Sequence, residues 1–306
     1  MQSTISAPIG FSGIGLHTGR AARIVLHPAP AGHGIVFRRM DVAARTATVP
    51  ARWDRVIVSP LNTRVENDAG VGVSTVEHLM AALAGCGVHN VRVEVDGPEL
   101  PILDGSAAVF VRGLLTTGLV RQDAPLQVIE ILAPVAHVSG SASARLLPSA
   151  IPAMDFSIRF PDAAIGAQRL RLDLGNGAFV RELCDSRTFC RKADIDDMRR
   201  RGLALGGTYD NAVVVDGARV LSPGGLRHPD EAVRHKMLDA VGDLAMAGAP
   251  ILGRYVGDRA GHAVTNGLLR ALFARPDAWR MRPCDPALAA RLPGVGVARR
   301  DLACVA

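Results

Sequence analysis

One stretch constrains the chain more than any other: residues 229–248, PDEAVRHKMLDAVGDLAMAG. It predicts a single α-helix. Pro229 suits the first helical position, Asp230 and Glu231 complement the positive end, and Gly248 can stop it. At about 100° per residue, Arg234, Leu238, Val241 and Ala245 share one arc, with Met237 and Leu244 at its edge. That arc is the expected core face. His235, Asp239, Gly242 and Asp243 form a second stripe, one and two turns apart. A glycine inside a helix costs about 1 kcal/mol against alanine, so Gly242 implies that something needs the room.

His235 and Asp239, at i and i+4, are spaced to hold one metal ion. The same spacing also suits a solvated polar face with a helix-local His–Asp pair. A zinc site wants a third protein ligand and an open position for water. The stretch Ser74 to Leu83 offers one. It predicts a helix ended by Gly85 and Gly87, with Val76, Leu79, Met80 and Leu83 as a narrow apolar stripe. His78 points away from that stripe between Ala81 and Ala82, which are small enough to let another backbone approach. Glu77 projects elsewhere and could reach a metal-bound water without ligating the metal. Both residues have a plainer reading: Ser74-x-x-Glu77 fits a capping box, and His78 fits a satisfied histidine between layers.

The length of 306 residues allows one large domain or two of about 150. Aromatics make up only 4%, so the core must rest on Val, Leu, Ile and Ala. The net charge of +6 is spread along the chain, with one dense cluster at Arg199-Arg200-Arg201. It points to an anionic small substrate as readily as to nucleic acid. Five cysteines without CxxC spacing are not a disulfide framework and fit a reducing cytoplasm. The N-terminus has no signal-peptide pattern, and no apolar run is long enough to span a membrane.

The chain order predicts α+β architecture. Strand composition marks 22–27 and 34–38, after a glycine-punctuated turn at 13–19 that lacks a phosphate-loop ending. There His17 is a weaker site candidate, with a turn-stabilising role as the plainer one. Residues 88–96 alternate like a half-buried strand, and Asp104 reads as the N-cap of a helix running to about Leu119. The boundary is expected at 121–125, giving domains 1–122 and 126–306. Beyond it strands are predicted at 126–138, 144–147, 153–160 and 251–256, and a helix at 176–183.

Three motifs, STVEHLMAALAG (74–85), VRHKMLDAVGDL (233–244) and GHAVTNGLL (261–269), together resemble the LpxC family, the UDP-3-O-acyl-N-acetylglucosamine deacetylases of lipid A synthesis. GIGLHTG (13–19), LPILDGSA (100–107), SRTF (186–189) and LGGTYDNAVVVD (205–216) extend the resemblance in the same order. It implies two similarly folded α+β domains, each a sheet packed on helices, with the site between them. A small insert is expected in each, near 40–70 and 160–220.

The resemblance also assigns roles. His78, His235 and Asp239 match the zinc ligands, one ion per chain, which iron(II) could also fill. Glu77 matches the general base. His262 matches the residue that stabilises the oxyanion or protonates the leaving amine, Asp243 the carboxylate holding it charged, and Thr188 an oxyanion donor. Lys236, Phe189, Leu61 and Thr63 match substrate-site positions. Ile195, Ala204, Ala212 and Val214 could line an acyl-chain passage within 189–214. Cys190-Arg191-Lys192 departs from the family there, where glycine and apolar residues are expected, which bears on acyl length. The implied protein is a cytoplasmic monomer that removes acetate from an acylated UDP-sugar, with no nucleic-acid partner. Two alternatives remain open: a zinc deacetylase for another sugar nucleotide, and a zinc-stabilised binding protein without activity.

Overall fold

Alternating apolar residues build two large sheets on one plan. In the computed structural model, which describes residues 1–59 and 61–304, Val91, Val93 and Val95 are fully buried while Arg92 and Glu94 are not. Their strand, Val91–Val95, is the middle of a five-stranded sheet ordered Ile9–Ile14, Ala21–Pro28, Val91–Val95, Ile35–Arg39, Thr48–Pro50. The second five-stranded sheet is ordered Val135–Ser139, Ala142–Leu147, Arg254–Asp258, Ala153–Arg159, Ala167–Asp173. In both, the strand that comes last in the chain lies in the middle. It runs parallel to the third strand in the chain and antiparallel to the second.

The connections repeat too. Between the fourth and last strands of the first sheet come a three-stranded sheet, Val56–Ile57, Arg64–Glu66 and Gly72–Ser74, and then helix α1, Glu77–Cys86. Helix α2, Ala108–Thr117, follows the last strand. In the second half the corresponding three-stranded sheet is Phe189–Arg191, Val213–Asp216 and Arg219–Val220, with helix α3, Lys192–Arg200, inserted in it. Helix α4, Glu231–Ala245, then occupies the place of α1, and α5, His262–Phe273, the place of α2. A short helix α6, Pro286–Ala289, comes near the end. The fold is α+β, with sheets packed on helices, as the sequence implies. Thr48–Pro50 and Ala167–Asp173 are edge strands of the large sheets, so the small sheets begin later than the expected inserts.

Helices α1 and α4 pack along each other inside one continuous apolar core that joins both halves. A methyl group on Gly242 would sit 2.1 Å from the Glu77 carbonyl oxygen. The room anticipated at Gly242 is therefore filled by the backbone of α1. This burial also removes the solvated-face reading of α4: His235, Asp239 and Asp243 are all at most 5% exposed. Arg234 leaves the expected core face and pairs with Asp230 and Glu182, because a guanidinium is satisfied only near water or carboxylates.

Several local expectations change. The predicted strand 126–138 is two strands, Gln127–Ile131 and Val135–Ser139, separated at Pro134, which has no N–H for a ladder. The predicted helix 176–183 is one wide turn, Phe179–Leu183. Asp104 does not cap α2, whose N-cap is Ala107; its carboxylate accepts from Ser106 N and Oγ in the preceding turn. Helix α1 starts at Glu77, not at Ser74, which ends a strand. Thr75 causes the break, with φ of +57°, a left-handed conformation that a β-branched residue rarely adopts. Its hydroxyl is held by Asn62 and Glu99. The capping-box reading of Glu77 therefore fails.

Candidate metal centre

The first turn of α1 faces the middle of α4, and three side chains converge there. Ligand atoms of His78, His235 and Asp239 all lie within 4.8 Å of one another. Asp239 Oδ1 is 3.3 Å from His235 Nε2 and 3.6 Å from His78 Nε2, and the two imidazole rings stand at 89°. The Ser186 carbonyl accepts from His235 Nδ1 at 3.0 Å, which turns Nε2 toward the cluster. Asp239 Oδ1 is buried without a hydrogen-bond partner, while Oδ2 accepts from Lys236 Nζ at 2.9 Å. Such an orphaned carboxylate oxygen between two imidazole nitrogens is what a divalent cation would satisfy, so the residues fit a metal ion.

Electrostatics prepares the same set. Burial, chiefly, lowers the His235 pKa to about 4, so the ring is neutral and able to ligate. Burial opposes the charge of Asp239, but neighbouring His235 and Lys236 keep its carboxyl well below the usual range. Burial also opposes the charge of Lys236, yet Asp239 raises its pKa.

A second layer adjoins the cluster. Glu77 Oε2 accepts from Thr63 N at 3.0 Å, and Glu77 Oε1 lies 3.8 Å from His262 Nε2. His262 opens α5; its Nδ1 is 3.0 Å from Asp243 Oδ2, and its Nε2 is 3.8 Å from Asp239 Oδ2. Thr63 Oγ1 also donates to Asp243. Burial works against the His262 charge, but Asp243, Asp239 and Glu77 together raise its pKa to about 9. Glu77 moves up from the ordinary carboxyl range, mainly through burial. The pair therefore combines an imidazolium with a carboxylate that can accept a proton.

The other expected residues are more dispersed. Phe189 stands against His235, with ring centroids 6.3 Å apart. Thr188 lies on the same segment, between Gly105 O and Val213 N. Leu61 is exposed. Phe189 pairs directly with Val213, and Cys190 with Val214. Phe189 and Val213 thus share one face of the small sheet, while Cys190 and Val214 lie on the other; Ala212 precedes the strand. Ile195 and Ala204 are half-buried. Arg191 and Lys192 stand where apolar residues are expected because Asp162 and Asp216 pair with them. His17 is buried in the turn its backbone makes with Glu99, and meets Ala204 N through Nδ1 at 3.4 Å.

Two contributors escape the sequence reading. Asn266 donates to the His262 carbonyl at 2.9 Å and lies 3.4 Å from Thr63 Oγ1; its i+4 spacing from His262 was the available signal. The Ser186 carbonyl has none, because every residue carries one.

The fold and cluster define an α+β protein with a buried His–His–Asp group between two helices that could hold a metal ion. The LpxC family, described as UDP-3-O-acyl N-acetylglycosamine deacetylase, matches residues 2–274. The chain is 51% identical over 281 residues to the UDP-3-O-acyl-N-acetylglucosamine deacetylase of Phenylobacterium zucineum, covering 92% of this chain and 96% of that one. It is 42% identical over 302 residues to the enzyme of that name from Myxococcus xanthus, covering 99% and 95%. The corresponding protein of Shewanella frigidimarina is 43% identical over 286 residues, 93% of each chain. The chain belongs to the LpxC family, a family of metalloenzymes.

Proposed function

We propose that this chain removes acetate from a UDP-3-O-acyl-N-acetylglucosamine in lipid A biosynthesis, using one zinc ion held by His78, His235 and Asp239. The orphaned Asp239 oxygen between two imidazoles carries the metal assignment. When bound, zinc polarises the amide carbonyl and makes a water nucleophilic at neutral pH. Glu77 takes the proton of the attacking water. As the carbonyl carbon gains its new C–O bond, Thr188 and His262 stabilise the charge on the oxygen. The C–N bond then breaks, and His262 supplies the proton to the leaving nitrogen, with Asp243 keeping it charged beforehand. Acetate and the free amine are the products.

Lys236, Phe189, Leu61 and Thr63 are assigned to the substrate site. The acyl chain is assigned to the region of Ile195, Ala204, Ala212 and Val214. A diphosphate needs cations, and Arg159, Arg169 and Arg259 line a shallow cavity of about 540 Å³ on the second large sheet. Arg259 precedes His262 by three residues. In this reading the halves 1–122 and 126–306 are the domains, and the protein works as a cytoplasmic monomer. Among the described residues no helix is long and apolar enough to cross a membrane.

The test is acetate release from acylated UDP-N-acetylglucosamine and from its non-acylated counterpart. Much higher kcat/KM on the acylated form is expected. Equal efficiency would favour a deacetylase for another sugar nucleotide. Release from neither, by zinc-loaded protein, would favour a binding protein.

A further inference from the structure

One buried ion pair lies outside the chemistry described above. Glu231, the first residue of α4, is 1% exposed, and Arg187 is 6% exposed. The Glu231 carboxylate accepts from Arg187 Nε at 2.9 Å and Nη2 at 3.1 Å, and from Arg227 N at 2.7 Å. It also accepts from the backbone N–H of Arg187 at 2.9 Å. That N–H belongs to the same planar peptide unit as the Ser186 carbonyl. The Ser186 carbonyl is the group that accepts from His235 Nδ1. A single peptide is therefore gripped at both ends, by a carboxylate on its N–H and an imidazole on its C=O.

Linked hydrogen bonds polarise one another in a low-dielectric interior. An anion on the N–H side makes the carbonyl a stronger acceptor. A stronger acceptor at Nδ1 fixes the tautomer and ring plane of His235 and makes Nε2 a better donor to a metal. Stability alone does not explain the charges, since buried ion pairs are often replaceable by apolar residues without loss.

We infer that Glu231 is a positioning residue for the metal site, acting on His235 through the Ser186–Arg187 peptide. The inference rests on His235 being a metal ligand. Arg187 has a different part in it: the guanidinium balances the charge of the carboxylate, and the peptide carries the effect.

The test uses the full chain, with zinc affinity measured by chelator competition and the absorption spectrum recorded with cobalt(II) in place of zinc. Glu231→Gln should bind zinc about 10–100-fold more weakly and shift the cobalt bands. Val233→Ala removes a fully buried side chain from the same helix outside this path. It should lose thermal stability yet keep zinc affinity. A folded Glu231→Gln protein with unchanged affinity and spectrum would overturn the inference. If that variant does not fold, Arg187→Lys decides: it keeps the peptide N–H on the carboxylate and should retain zinc, whereas a tenfold loss would assign the effect to the guanidinium and sink the peptide path. Wild-type protein that binds no stoichiometric zinc would instead defeat the metal assignment itself.

Discussion

Glu77 and Glu231 occupy the same place in the two halves. Each is the first residue of the helix between the small sheet and the last strand of the large one, and each is almost fully buried. Each accepts a backbone N–H from the small-sheet segment, Thr63 in one case and Arg187 in the other. The surroundings then diverge. Although burial opposes it, the Arg187 guanidinium and the backbone N–H groups of Arg187 and Arg227 hold the Glu231 carboxyl below the ordinary range. Among the described residues no such guanidinium meets Glu77, and burial pushes its carboxyl up. One backbone plan thus yields a fixed anion in one half and a proton acceptor in the other. Two carboxylates separated by environment in this way are the general pattern by which one fold assigns acid–base roles.

The largest effect is expected at the proposed metal ligands on the two helices. His78→Ala from α1 and His235→Ala from α4 should each abolish stoichiometric metal and activity, read by metal analysis of the purified protein. If one variant retains full metal, the two helices do not share an ion.

Next in size, Glu77→Gln should lower kcat/KM by about 10²–10⁴, the usual range for general acid–base catalysis, with metal retained. Glu231→Gln should show the reverse emphasis, weaker metal with the chemistry recovered at saturating zinc. Identical profiles for the two variants would give the two glutamates one and the same role.

The helix contact offers a third comparison. Gly242 on α4 faces the Glu77 carbonyl, whereas Gly85 on α1 faces the ring of Phe179. Backbone cannot rotate away as a ring can. Gly242→Ala should cost on the order of 1–3 kcal/mol of stability by overpacking, and should also lower kcat because Glu77 is displaced. Gly85→Ala should lower stability with kcat largely kept. Thermal melts beside steady-state kinetics separate the two.

The smallest effect concerns pH. Three carboxylates raise the His262 pKa to about 9 against an ordinary 6.5, despite burial. Its folded value lies above its unfolded value, so the stabilisation it brings is fully present below 6.5 and is lost as pH rises through about 9. Activity that needs the imidazolium should fall on a basic limb over the same range. Glu77 should set the opposite limb, because its ionised form is lost as pH falls through its raised pKa. His262→Gln should remove the basic limb from the kcat/KM profile. A limb that persists in that variant belongs to another group.

Much of this site is legible before folding, because helical period is local. The stripe His235, Asp239, Gly242 and Asp243, and the adjacent Glu77 and His78, can be read from spacing and matched to one family over most of the chain. What spacing cannot convey is which stripe is dry. Arg234 falls on the predicted core arc yet pairs at its margin with Glu182, while the polar stripe is the buried one. Hydrophobic pattern decides burial only when a single face is covered, and α4 is covered on both.

By itself the sequence determined the identity of the chemical groups, their order along two helices and the α+β class, since these depend on residue type and short-range period. Tertiary structure alone decided the partners. Thr75 in a left-handed turn ends the strand and sends the Glu77 carboxylate to Thr63 instead of back to its own helix start. Strand pairing puts Val214 on the face of Cys190, away from Phe189. The Ser186 carbonyl meets His235 in a segment whose next N–H is held to α4 by Glu231. Each of these depends on contacts between residues far apart in the chain, and backbone groups carry no residue-specific mark that would reveal them.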